Sequence, residues 1–166
     1  MARAAVPGVI ADAGPLIALA KIKRLGLLKR LFGSVEVTAV VTGELRLGTL
    51  APGAAELGNA FDAGWLLRLA PPKVKVPEHR ILDAGEASCL AAATAAPGAL
   101  LLIDERLGRS EAQRLGIAYM GTAGVLCAAK DLDYLRAIRP ALNELLAAGY
   151  FLSDSVIEDA CRRAGQ

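Results

Sequence analysis

Hydrophobic positions fall in short unbroken runs, each followed by a stretch in which apolar residues recur three and four apart. The first run, Val9-Ile10-Ala11, ends at Asp12. Ala13-Gly14-Pro15 then turns into an apolar stretch with helical spacing. Pro15 suits a first helical position with Gly14 as its cap, which places Asp12 too early to cap that helix. Helices are predicted over 16–23 and 24–32, the second closed by Gly33-Ser34. A short strand follows at 35–38, then a helix carrying Val41, Glu44 and Leu45. Residues 48–53 read as a loop, 54–63 as a helix and 65–69 as a strand. Residues 71–77 are the least regular part, an insertion or linker. A helix is predicted from Asp83 to about Ala96, and the apolar run 99–103 reads as a strand buried on both faces and ending at Asp104. Helix 105–115 is closed by Gly116, residues 117–120 form a strand, and helices follow at 121–130, 134–148 and 155–163. Strands alternating with helices imply right-handed crossovers and a parallel sheet covered on both faces.

The length of 166 residues sets the expectation of one domain, with 150–166 as a C-terminal helix packing on it or extending from it. Hydrophobic residues make up 54% and charged residues 22%, which excludes a disordered chain. Aromatics at 4% argue against recognition by stacked rings, and a net charge of +2 does not by itself imply nucleic acid. Cys89, Cys127 and Cys161 are far apart and form no zinc-type pair, so reduced thiols in a cytoplasmic protein are expected. The opening apolar residues are broken by Pro7, Gly8 and Asp12, unlike a signal peptide. The uncharged run 87–103 contains Thr94, Pro97 and Gly98 and falls short of a membrane span, so a soluble protein is expected.

Four acids stand out. Asp12 and Asp104 each end an apolar strand, where an open parallel sheet binds its ligands. Glu44 and Glu86 are expected near the starts of helices at the same edge. Such a cluster repels itself and raises its pKa values. Hard oxygen ligands with one histidine in the chain favour Mg²⁺ or Mn²⁺ over zinc. Each acid has a plainer reading. Asp12 can hydrogen-bond its own turn. Glu44 can be a solvated helix residue. Asp83-Ala84-Gly85-Glu86 resembles a capping box, and Asp104 can cap the helix after it. His79, the single histidine, reads as a surface residue. Phosphate-cradling loops, dinucleotide fingerprints and nucleophile elbows are lacking. A dehalogenase-like phosphoryl-transfer site needs a second Asp two residues after the first, where Gly14 stands. Lys21, Lys23, Arg24, Lys29 and Arg30 form a basic face, usually solvated, that beside a metal site would hold a nucleic-acid backbone.

Several motifs resemble the PIN-domain family, in particular its DUF3368-like group of predicted nucleic-acid-binding proteins related to type II toxin ribonucleases. Ile10-Ala11-Asp12-Ala13-Gly14-Pro15-Leu16-Ile17 is similar to the opening Asp-x-Ser/Gly-Pro-Leu-Ile pattern, and Val40-Val41-Thr42-Gly43-Glu44-Leu45 to Val-x-x-Glu-Leu. Leu82-Asp83-Ala84-Gly85-Glu86-Ala87 resembles the Gly-Glu-x-x-Ala region. Leu102-Ile103-Asp104-Glu105-Arg106-Leu107-Gly108-Arg109 resembles the Asp-Asp-x-x-Ala-Arg region, with Glu105 in place of the second Asp and Gly108 in place of Ala. Gly121-Thr122-Ala123-Gly124-Val125-Leu126 resembles Gly-Thr-x-Gly-Leu-Leu. The resemblance spans nearly the whole chain, with its motifs in order. It implies a three-layer α/β/α sandwich around a parallel sheet of four or five strands. Asp12, Glu44, Glu86 and Asp104 would be catalytic, with Asp12, Glu86 and Asp104 holding Mg²⁺ or Mn²⁺. Glu105, Arg109 and Thr122 are secondary candidates, and Lys21, Lys23, Arg24 and Arg109 candidate RNA contacts. The implied activity is an endoribonuclease, the toxin of a pair silenced by a small antitoxin, and a homodimer, in keeping with a mean hydropathy of +0.42. The alternative is a catalytically silent module that binds RNA or a partner protein.

Overall fold

The computed structural model describes residues 7–71 and 81–166. His79 and most of the irregular stretch at 71–77 lie outside the described residues. Five short strands form one parallel sheet in the order β3-β2-β1-β4-β5. They are β1 (Val9–Ala11), β2 (Val35–Val37), β3 (Leu66–Arg68), β4 (Leu100–Leu102) and β5 (Ala118–Met120). The central strands β1 and β4 read as apolar runs because both faces are covered.

The helices are α1 (Ala13–Lys21), α2 (Gly26–Phe32), α3 (Ala39–Glu44), α4 (Ala54–Asp62), α5 (Ala84–Ala95), α6 (Arg106–Arg114), α7 (Thr122–Asp131), α8 (Arg139–Ala147) and α9 (Asp154–Arg163). Chain direction along the sheet reverses between β3 and β4, so right-handed crossovers put α1, α2 and α4 on one face and α5 and α6 on the other. Helix α5 packs on β1 and β4, while α7 and α8 pack against α1, and α9 against α7. The result is a three-layer α/β/α sandwich, as the resemblance implies. The reversal leaves a switch point between β1 and β4 at the carboxyl end of the sheet, the place where such folds bind ligands.

Three local expectations need correction. Helix α1 begins at Ala13, so Asp12 does occupy the N-cap position, and Pro15 is the third helical residue. First-turn amides have no intrahelical acceptor, so proline costs nothing there. Glu44 is the last residue of α3, not near its start, because the helix capped by Thr38 is only six residues long. Residues 134–138 are not helical. Helix α8 begins at Arg139, with Pro140 in its first turn.

Gly108, where the family pattern has Ala, answers to Ile103. A Cβ on Gly108 would collide with Cδ1 of Ile103 and stand 3.3 Å from its Cγ1. Ile103 is fully buried and has little room to turn away. Gly108→Ala adds about 1 kcal/mol of helix propensity but incurs overpacking of about 1–3 kcal/mol. The expected result is a net loss of about 1 kcal/mol in a urea titration, recovered by pairing it with Ile103→Val. A stabilised Gly108→Ala would show that Ile103 repacks freely.

Candidate active site at the carboxyl end of the sheet

Ala11 pairs with Leu102, so Asp12 stands level with Ile103, and its amide donates to the Leu102 carbonyl at 2.9 Å. Asp104 lies one residue further along β4 and, by the pleat, towards the opposite face. The neighbours agree with this. Asp12 meets Cys89 of α5, whereas Asp104 meets Thr122 of α7. The two strands are adjacent, as expected, but their terminal acids are staggered.

The Asp12 carboxylate is buried and accepts no capping hydrogen bond. Burial pushes its pKa from 3.8 up to about 7. The Ala13 backbone amide opposes the rise, and the charges of Asp83, Glu86 and Glu44 add to it. Cys89 lies beside it, its Sγ 3.8 Å from the Ala11 carbonyl and 3.9 Å from Oδ1 of Asp12. Burial first, and the Asp12 charge second, hold the Cys89 thiol well above its usual range, so it stays protonated.

The start of α5 gathers the other acids. Asp83 and Glu86 form a capping box: the Glu86 amide donates to Oδ1 of Asp83 at 2.8 Å, and the Asp83 amide to Oε2 of Glu86 at 3.0 Å. The plainer reading of Glu86 therefore holds, yet Glu86 is also buried and acts electrostatically on Asp12. Glu44 is exposed at the end of α3 and is raised by burial of its carboxyl and by Asp83 and Glu86. A Cβ on Gly85 would stand 2.7 Å and 2.8 Å from its carboxylate oxygens, so the Glu44 carboxylate rests close against Gly85 on the first turn of α5. Thr38 and Ser88 fix this packing. Their hydroxyls bond at 2.7 Å, Ser88 donates to the Gly85 carbonyl, and the Val41 amide donates to Thr38. The positive end of the α5 dipole offsets part of the repulsion among these carboxylates.

Asp104 is held separately. Its Oδ1 accepts from the Thr122 amide at 2.8 Å, and its Oδ2 from the Thr122 hydroxyl at 2.6 Å and from the Tyr150 hydroxyl. It thus caps α7 and not α6, whose N-cap is Glu105, exposed and without a side-chain capping bond. Burial, followed by the Asp104 charge, pushes the Tyr150 phenol well above its usual range.

Arg109 is half-buried on the first turns of α6, at the acidic pole. Lys21 and Lys23 are exposed at the far end of α1, about 13 Å along the helix from Asp12. Arg24 makes a two-pronged ion pair with Glu144, at 2.9 Å and 3.1 Å. The structure therefore brings Asp12, Glu44 and Glu86 together and sets Asp104 beside Thr122. It does not bring the three basic residues of the α1 end to the acids.

Sequence reasoning missed two members of this pole. Asp83 was legible as a cap, and its place three residues before Glu86 was the signal for more. Nothing local marks Tyr150, which reaches Asp104 from the end of α8.

The donor set is all carboxylate oxygen apart from one protonated thiol, which suits Mg²⁺ or Mn²⁺. The acids act on one another and two of them, Asp12 and Glu86, are buried, the electrostatic situation a divalent cation relieves. Among the described residues no three Asp, Glu, Cys or His side chains are grouped tightly enough to form a ready metal cage.

The parallel five-stranded sheet with helices on both faces is consistent with the PIN class of nuclease-like folds. The chain belongs to the DUF3368 family of PIN domains, which matches residues 8–166. A comparison with curated proteins gave no match. PIN domains are generally nucleases, so the class points to nucleic acid as the ligand. Among the described residues no helix is long and apolar enough to cross a membrane.

Proposed function

We propose that this chain is a Mg²⁺- or Mn²⁺-dependent endoribonuclease. The observation that carries the reading is Asp12, a buried carboxylate at the switch point on which three further acids act. Asp12, Glu86 and Asp104 are the residues that would hold the cation, with Glu44 as the fourth acid of the site. When bound, such an ion supplies positive charge to phosphate oxygens and lowers the pKa of a water. Asp12 would orient the attacking water or take its proton. Thr122 keeps Asp104 aimed, since two of its donors reach that carboxylate. Glu105, one residue past Asp104, is exposed beside the site, where a longer acid than the family's Asp has room. Arg109, half-buried near the start of α6, is the proposed contact for the RNA backbone. Lys21 and Lys23 would meet only a strand that runs on past the far end of α1, and Arg24 would have to leave Glu144.

The further parts of the reading rest on family membership. The chain is read as one domain and as the toxin of a toxin–antitoxin pair in the cytoplasm. The antitoxin would place a basic side chain against the same acids, neutralising them as a cation does. Three free, buried cysteines suit a reducing compartment. Exposed Leu107, Leu115 and Tyr119 on α6 and β5 support a homodimer.

A calorimetric titration tests the site directly. Mn²⁺ is expected to bind the metal-stripped protein with release of protons at pH 7, because Asp12 is half-protonated there. Absence of binding would favour the silent RNA- or protein-binding module.

A further inference from the structure

The C-terminal part of the chain contributes a side chain to the site. Helix α8 ends in a two-bond cap: the Gly149 amide donates to the Leu146 carbonyl at 3.0 Å and the Tyr150 amide to the Leu145 carbonyl at 2.9 Å. Gly149 sits at φ +83°, the left-handed conformation this cap requires. The cap fixes the backbone of Tyr150 and sends its ring towards the switch point. A Cβ on Gly14 would stand 3.6 Å from the Tyr150 hydroxyl, so that hydroxyl lies over the first turn of α1 while it donates to Asp104. One phenol therefore touches the segments that follow β1 and β4, the two strands of the switch point.

We infer that Tyr150 is a positioning residue that holds Asp104 so that it meets a cation through Oδ1 alone. A carboxylate oxygen has about two acceptor positions. Oδ2 already accepts from Thr122 and Tyr150, and Oδ1 accepts only from the Thr122 amide. Gly121 leaves Oδ1 uncovered, since a Cβ there would stand 2.8 Å from it. Without the phenol, Oδ2 regains an open position and the two bonds from Thr122 alone hold the carboxylate. Partners of this kind commonly change metal affinity or activity by about 10- to 100-fold when removed.

The inference rests on the metal-dependent reading of the site, and the experiment separates the two. The full chain labelled with ¹³C-tyrosine gives three ring signals, assigned with Tyr150→Phe. Mg²⁺ is expected to move the Tyr150 signal to saturation and leave that of Tyr134 in place. Calorimetry with Mn²⁺ should show a dissociation constant about tenfold higher for Tyr150→Phe. With RNA, kcat per folded molecule, the folded fraction being counted from the tyrosine ring signals, should fall while KM stays within twofold. If the parent binds Mn²⁺ and Tyr150→Phe binds it within twofold of the parent, or the Tyr150 signal stays still at saturation, the inference is overturned and the metal site stands. If the parent binds neither ion, the metal reading falls and the role of Tyr150 with it.

Discussion

Asp12→Asn is expected to make the metal-free protein more stable at pH 8 while abolishing its activity. The sign follows from the raised carboxyl, at about 7 against an ordinary 3.8. Below pH of about 4, folded and unfolded chains both hold this proton and the site costs nothing. Between about 4 and 7 the folded chain binds more protons than the unfolded one, so stability falls as pH rises. Above 7 the whole penalty is present, at most roughly 4 kcal/mol for a rise of this size. Asn keeps the shape and carries no charge. Its amide needs partners of its own, so about 2 kcal/mol of the penalty is recovered, or about 4–8 °C in melting temperature for a chain of this size. In chelator Asp12→Asn should be the less stable of the two near pH of about 4 and overtake the parent as pH rises towards 7. A parent that melts higher than Asp12→Asn at pH 8 in chelator would show that Asp12 is well paired and only braces its turn.

Asp104→Ala is expected to act in the opposite direction. It leaves the fully buried Thr122 hydroxyl and the Tyr150 phenol without their acceptor and removes the carboxylate that caps α7. Each orphaned buried group costs about 1–3 kcal/mol and the lost cap about 1 kcal/mol. The sum is a destabilisation of about 3–7 kcal/mol, read by urea unfolding. Adding Thr122→Val and Tyr150→Phe removes the orphaned donors, and the triple variant should regain a good part of the loss. A loss below about 1 kcal/mol for Asp104→Ala would mean that these bonds contribute little and that Asp104 is held by something else.

The two variants differ because the two acids end adjacent strands in different surroundings. That distinction was not legible in the sequence. Val9-Ile10-Ala11 before Asp12 and Leu100-Leu101-Leu102 before Asp104 look alike, and their adjacency follows from fold class. The one-residue stagger depends on register, which hydrophobic runs do not encode because both faces are apolar. It turns one carboxylate into an ill-solvated charge beside α5 and the other into a cap on α7 held by three donors. The capping box at Asp83 and Glu86 was legible because it is local. Its second role was not, since that depends on α5 crossing the end of β1. Glu44 was misplaced within its helix because nothing in Ala39-Val40-Val41-Thr42-Gly43-Glu44 announces that the helix stops there. Arg24 looked free because its partner Glu144 is 120 residues away. Tyr150 was invisible for the same reason, 46 residues from Asp104. Pairings of that range are set by packing of α8 on α1 and leave no periodic trace in the chain.

The account stands or falls on cleavage of a single-stranded RNA by the purified full chain, followed with and without Mg²⁺ or Mn²⁺ and with Asp12→Asn beside the parent. The parent is expected to produce internal cuts that depend on the added ion and cease in chelator, and Asp12→Asn to produce none at saturating metal. Cleavage by Asp12→Asn at the parental rate, or a folded parent that binds both ion and RNA and leaves the strand intact, would contradict it.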